Sequence, residues 1–84
     1  MLLPIAIDLS NGTPYAVYFP SLYGCNAVGD SIETAIINAI EAAEEHIEIL
    51  LEDGDSLPHP INIHDLMQLQ EYQQCVWKLI QINA

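Results

Sequence analysis

The chain has 84 residues, of which 51% are hydrophobic, and this length suffices for one small domain with a single core. Twelve acidic side chains stand against one basic side chain, Lys78, so the formal net charge is -11. This charge repels phosphate backbones and disfavours direct nucleic-acid binding by the chain alone, whereas a cationic protein surface would complement it. Acidity that serves only to keep the protein soluble is the alternative.

No segment has the features of a signal peptide or a membrane span. The first seven residues lack a basic region, are interrupted by Pro4 and are followed by Asp8. No apolar run approaches the ~20 residues that a membrane-spanning helix needs. We therefore expect a cytoplasmic protein in which Cys25 and Cys75, separated by 50 positions, are reduced structural thiols.

Three short β-strands are predicted in the first third of the chain. Runs of β-favouring residues cover positions 3–9, 15–19 and 25–28, and an Asn-Gly turn separates the first two. Pro20 ends the second strand because proline cannot donate to the ladder, and Gly24 allows the chain to reverse into the third. The first two strands are expected to form an antiparallel hairpin.

One long helix is predicted after these strands. Asp30 or Ser31 is its N-cap, and Glu33, three residues after Asp30, resembles a capping box. Gly54 is the expected left-handed terminator, and the prolines that follow it prevent resumption of the helix. The apolar positions recur at steps of three and four and predict a stripe that covers a sheet: Ile32, Ala35, Ile36, Ala39, Ile40, Ala43, Ile47, Leu50 and Leu51.

The remaining sequence completes one domain that spans residues 1–84. Residues 61–74 give little signal beyond one or two helical turns near Asp65–Leu69, and Cys75 to Asn83 predicts a final strand. The pattern indicates an α+β, two-layer β-β-β-α-β sandwich with sheet order 3-2-1-4. We expect the last strand to run parallel to the first after a right-handed crossover. The exposed strand edges favour a homodimer or higher homo-oligomer.

The helix surface opposite the apolar stripe is strongly acidic and is the candidate partner-binding site. Its residues are Glu41, Glu44, Glu45, Glu48 and Glu52, together with the outward-facing Ile37. No basic residue lies in this helix, so acids at four-residue spacing repel one another by ~0.2–0.5 kcal/mol per pair. A basic partner would convert this repulsion into binding energy. A face that is merely solvated is the alternative.

Catalytic and metal-binding chemistry have little support in the sequence. His46 lies at the edge of the apolar stripe and is expected to be a partly buried packing residue. His59, His64 and Asp65 match no four-ligand zinc spacing. The strand-strand-strand-helix order is that of ribonuclease H-like folds, in which Asp8 could hold magnesium, but the last strand carries no second carboxylate. We expect no catalytic residue, cofactor or metal.

An ordered set of short motifs resembles the HicB family. The set is Tyr15-x-Val17-x-Phe19-Pro20-x-Leu22-x-Gly24-Cys25, Gly29-Asp30-Ser31, Ala35, Asn38-Ala39, Glu52-Asp53-Gly54 and Leu57-Pro58-x-Pro60. Tyr23 stands where the family often has proline. Many members also carry a C-terminal DNA-binding module, and since this chain ends at Ala84, just after its last predicted strand, we expect no such module in it.

The resemblance implies an antitoxin of a type II toxin–antitoxin pair with a degraded ribonuclease H-like domain. Such antitoxins cover the active surface of a small, basic, HicA-like toxin that resembles a double-stranded-RNA-binding domain and cleaves messenger RNA. The acidic helix face would then stand in for RNA phosphates. The alternative is a stand-alone oligomeric regulatory domain of the same fold without a toxin partner.

Overall fold

The secondary structure follows the predicted order, with two short helical segments between the long helix and the last strand, where one or two helical turns were expected. A computed structural model describes residues 1–57 and 62–83. Strands β1 and β4 have seven residues each, and β2 and β3 have four each. The elements in chain order are β1 (Leu2–Asp8), β2 (Tyr15–Tyr18), β3 (Asn26–Gly29), α1 (Ile32–Glu52), α2 (Ile63–Met67), a 3-10 turn (Gln70–Tyr72) and β4 (Cys75–Gln81).

The four strands form one sheet in the order β3-β2-β1-β4, as predicted. The expected direction of β4 is wrong, because β4 pairs antiparallel with β1, with Asp8 opposite Cys75 and Leu2 opposite Gln81. A strand that directly followed α1 would run parallel to β1. Instead, the connection after α1 carries the chain back to the end of the sheet where α1 begins, so β4 enters from that end.

One face of the sheet packs against α1 and forms the core. The odd-numbered residues of β1 and the even-numbered residues near the end of β4 point to this side, and the helix contributes three alanines that are completely buried. The small alanine side chains let the helix lie close to the strands. The core residues are Leu3, Ile5, Ile7, Val17, Phe19, Leu22, Cys25, Ala35, Ala39, Ala43, Ile47, Ile80 and Ile82.

The apolar stripe of α1 is narrower at its two ends than the sequence pattern predicts. Ile32 is 37% exposed and Leu51 is 52% exposed. At ~100° per residue, Leu51 lies about 120° around the helix from the buried Ala39, so its side chain extends beyond the edge of the sheet and is partly exposed to solvent. The two residues therefore belong to the rim of the core.

Both ends of α1 have defined caps. The Ser31 hydroxyl accepts a hydrogen bond from the Thr34 N–H at 3.0 Å, so Thr34 occupies the position that the predicted capping box gave to Glu33. At the other end Gly54 adopts φ +77°, as predicted, and the Asp55 N–H donates to the Leu50 carbonyl at 2.8 Å. The predicted helix-stopping role of the two prolines at 58 and 60 lies outside the described residues.

Candidate partner-binding surface

The outer side of α1 carries four exposed glutamates on successive turns, and we call this surface the acidic face. Its members are Glu41, Glu45, Glu48 and Glu52. At 1.5 Å per residue they extend over ~16 Å of helix axis. Ile37, one turn before the first of them, is 55% exposed. The face therefore presents a row of carboxylates with an apolar residue at its N-terminal end.

Glu44 has a different environment from the other four glutamates. Its side chain is half-buried, and its carboxylate accepts a hydrogen bond from the backbone N–H of Asn83 at 3.0 Å. The sequence places Glu44 with the outward acids, but the structure places it at the border between α1 and the end of β4. Glu44 therefore holds the chain after β4 against the helix, in addition to any role it has toward a partner.

A groove runs beside Glu44 along the same border. It has a volume of about 410 Å³ and is lined by Glu44, Ile47, Glu48, Leu51 and Asn83. Leu51 contributes exposed apolar surface directly next to the acidic face. The glutamate row is thus flanked by apolar surface at its side as well as at its N-terminal end.

On the opposite border, α1 faces the β3 edge of the sheet. His46 is half-buried there, as predicted, and lines a shallow pocket of about 190 Å³ with Cys25 and Glu45. Burial raises the pKa of the Cys25 thiol, which lowers its thiolate fraction and its reactivity. The environment is that of a packing histidine beside an unreactive cysteine.

The ionisable residues that the sequence singled out for metal chemistry lie apart. The Ser10 hydroxyl and the Ser10 N–H donate to the Asp8 carboxylate at 2.6 and 2.9 Å, and these bonds lower the pKa of Asp8. The neighbours of Asp8 on the adjacent strands are Ala16 and Cys75. Within residues 1–57 and 62–83, no three His, Cys, Asp or Glu side chains form a group that could hold a metal ion. His59 lies outside the described residues.

The outer face of the sheet carries an aromatic cluster that the sequence analysis missed. The ring of Tyr72, in the 3-10 turn, lies 6.4 Å from that of Tyr18 and 5.2 Å from that of Trp77. Tyr18 and Trp77 pair with Ala6 from either side, and Ala6 is fully buried. Burial, followed by the charge of Glu71, raises the pKa of the Tyr72 phenol. The signal in the sequence that could have predicted this cluster was Tyr72 itself, an aromatic residue within a polar, Gln-rich segment.

The turn between β2 and β3 offers a further exposed feature. Tyr23 is 99% exposed at its tip, and a depression of about 290 Å³ lies between this turn and Tyr72.

None of the helices in residues 1–57 and 62–83 combines the length and the apolar composition that a membrane-spanning segment needs.

The sequence and the fold both identify the family. Residues 3–84 match the HicB-like antitoxin of bacterial toxin–antitoxin systems, and the chain belongs to this family. It is 35% identical over 83 residues to an uncharacterized 14.9 kDa protein of the rep-hol intergenic region of Haemophilus phage HP1. The aligned part covers 99% of this chain and 62% of the phage protein, so the chain spans under two thirds of that relative's length.

Solved structures of HicB proteins share the fold. The N-terminal domain of the Burkholderia pseudomallei antitoxin HicB is 30% identical, with a TM-score of 0.86 and complete coverage of both chains. A chain from the HicA3 and HicB3 toxin-antitoxin complex is also 30% identical, with a TM-score of 0.77 and complete coverage of both chains. The resemblance drawn from the sequence motifs is thereby confirmed, as is the sheet order 3-2-1-4.

Proposed function

We propose that this protein is an antitoxin that binds and neutralises a small, basic, HicA-like toxin through the acidic face of α1. The observation that carries the proposal is the row of four exposed glutamates on a helix without one basic residue. Family membership and the similarity to a chain from a HicA3–HicB3 complex support a toxin as the partner. Glu44 and Ile37 border the face and complete the proposed contact surface.

The electrostatics of the isolated protein favour such a partner. Glutamates at positions 41 and 45, 44 and 48, and 48 and 52 repel one another by ~0.2–0.5 kcal/mol per pair in the free helix. Lys78, the one Lys or Arg of the chain, lies on β4 and not on this helix. Cationic side chains of a partner would relieve the repulsion on contact and would be attracted from a distance by the net charge of -11.

The proposed mechanism is competition with RNA for one basic surface. A toxin that binds RNA presents Lys and Arg side chains spaced to meet phosphates, and carboxylates on successive helical turns can occupy the same positions. Exposed Ile37 and Leu51 supply apolar contacts beside the charges. Acting in this way, the protein works in the cytoplasm, needs no catalytic group of its own and makes no direct contact with nucleic acid.

Capture from native lysate tests this proposal. The immobilised protein should retain a small basic protein that is released as salt rises, because salt screens exposed charge pairs. A variant with Glu41, Glu45, Glu48 and Glu52 changed to Lys should fail to retain it. The matched control changes four exposed acids outside the face to Lys, at Asp30, Glu33, Asp65 and Glu71, which alters the net charge equally.

The two variants separate local contact from overall charge. If the variant of the acidic face loses the partner and the control variant retains it, the result supports the acidic face as the surface that contacts the partner. Equal retention by both variants would move the contact to a sheet edge or to the turn between β2 and β3.

A stand-alone oligomeric domain is the second candidate function. It is favoured by the sheet edge at β4, where no strand of the described chain covers the outer side. In this case the capture experiment would return only the protein itself, in a form that high salt does not dissociate.

A further inference from the structure

The rings of Tyr18 and Tyr72 form a corner on the outer face of the sheet. Their centroids lie 6.4 Å apart and their planes meet at 69°, which is the edge-to-face arrangement that aromatic pairs favour. Trp77 packs against Tyr72 at 5.2 Å and supports this ring, while Tyr18 is 40% exposed. At this steep angle, a group that enters the corner can contact both tyrosine rings.

A small pocket lies against this pair of rings. It has a volume of about 210 Å³ and is lined by Tyr18, Tyr72 and Glu71. The volume is below the roughly 300–1,000 Å³ that is typical of small-molecule sites, so the pocket suits a single side chain. Glu71 is exposed and directly precedes Tyr72 in the 3-10 turn. Two aromatic rings and one carboxylate therefore line the same small space.

The charge of this pocket is negative. Burial, followed by the charge of Glu71, raises the pKa of the Tyr72 phenol, so this carboxylate lies within electrostatic reach of the ring. Lys78, the one Lys or Arg of the chain, follows Trp77 on β4. Because side chains alternate along a strand, Lys78 points to the helix side of the sheet and Trp77 to the outer face. The pocket is therefore open to a cation from another molecule.

A guanidinium group matches this combination of surfaces well. The face of a tyrosine ring attracts a cation within about 6 Å of its centroid, and arginine makes such contacts more often than lysine. The guanidinium is planar, stacks on aromatic faces and pairs with a carboxylate through two parallel N–H donors. A lysine ammonium can also pair with the carboxylate, but it is strongly hydrated and has no flat surface. The pocket thus favours arginine by shape as well as by charge.

We propose that this pocket binds an arginine side chain of a partner protein, with the guanidinium on the rings of Tyr18 and Tyr72 and paired with Glu71. The net charge of -11 would attract such a partner from a distance. The pocket lies on the outer face of the sheet, whereas the acidic face lies on α1 on the other side of the core. The two sites are separate, and the proposal does not depend on toxin binding by the acidic face.

Nuclear magnetic resonance titration with N-acetyl-arginine amide measures binding at this pocket. The ring protons of Tyr18 and Tyr72 and the indole N–H of Trp77 should shift with a Kd of about 1–20 mM. The neutral citrulline analogue, added at the same ionic strength, should bind at least about fivefold more weakly, because it keeps the shape and lacks the charge. Shifts at these rings separate binding in the pocket from arginine that collects at the acidic face.

Two pairs of variants assign the contact to the carboxylate and to the rings. Glu71→Gln should weaken arginine binding about threefold, whereas Asp65→Asn, an equal charge change at an exposed acid of α2, should leave it unchanged. Tyr18→Leu should also weaken binding about threefold, and Tyr18→Phe, which keeps the ring, should retain it. Equal affinities for arginine and citrulline, shifts that stay linear up to about 100 mM, or equal losses with Asp65→Asn and Glu71→Gln would overturn the proposal.

Discussion

The outer surface of α1 and the outer surface of the sheet differ in both charge and chemistry. The helix side presents Glu41, Glu45, Glu48 and Glu52 to solvent, whereas the sheet side presents aromatic and aliphatic residues around Tyr72. One fully buried apolar layer separates the two surfaces. The contrast separates an acidic surface, which we propose as the contact for a cationic partner, from an aromatic and aliphatic surface on the other side of the sheet.

The largest loss of stability is expected from a substitution at Gly29, where the backbone of α1 lies against β3. A Cβ atom at this position would lie 2.8 Å from the backbone carbon of Thr34, and closer still to the backbone N and Cα of Ala35. Gly29→Ala should therefore lower the free energy of unfolding by about 3 kcal/mol or more, because backbone must move to accept the methyl group. Urea denaturation measures the change.

Gly24→Ala is the matched control for this substitution. Gly24 has φ +85° and no atom within 4 Å of the added Cβ, so only backbone strain of about 1 kcal/mol is expected. Equal losses for the two variants would show that α1 does not approach β3 as closely as described.

A smaller effect is expected from removing the aromatic cover of the sheet. Tyr72→Ala should lower the free energy of unfolding by about 2 kcal/mol, since the ring contacts both Tyr18 and Trp77. Tyr23→Ala provides the control because Tyr23 is 99% exposed, and it should change stability by less than about 0.5 kcal/mol. If both variants were equally stable, the turn that carries Tyr72 would not be packed on the sheet.

The smallest expected effect is a gain in stability on the helix side. Changing Glu41, Glu45, Glu48 and Glu52 to Gln removes three like-charge pairs at four-residue spacing, including that of Glu48 with Glu44, and should stabilise the free protein by roughly 1 kcal/mol. The melting temperature should rise at low salt, and the difference from the parent protein should shrink in 1 M salt. A loss of stability on this change would mean that the glutamates support the fold.

The sequence predicts those parts of the structure that depend on local pattern. Hydrophobic periodicity and turn residues locate all four strands and α1 within one or two residues, and Gly54 ends the helix as expected. The direction of β4 was not predictable in this way, because the sequence between α1 and β4 carries little amphipathic signal. The packing of Tyr72 on the outer sheet face is likewise a tertiary contact without a local pattern.

For the candidate site, helical geometry predicts which residues face outward but not what else they contact. Four of the five glutamates are exposed as predicted. The bond from the Asn83 N–H to Glu44 joins positions 39 residues apart, and no periodicity within the helix indicates it. Which of these glutamates contact a partner remains part of the proposal.

The central claim is that the acidic face of α1 binds a basic toxin, and titration calorimetry with the captured partner tests it most directly. We predict that affinity falls steeply between about 0.1 and 0.5 M salt, and that the four-Gln variant binds at least about a hundredfold more weakly at low salt, with a flatter salt dependence. An unchanged affinity in this variant, whose fold the melting experiment checks independently, would contradict the claim.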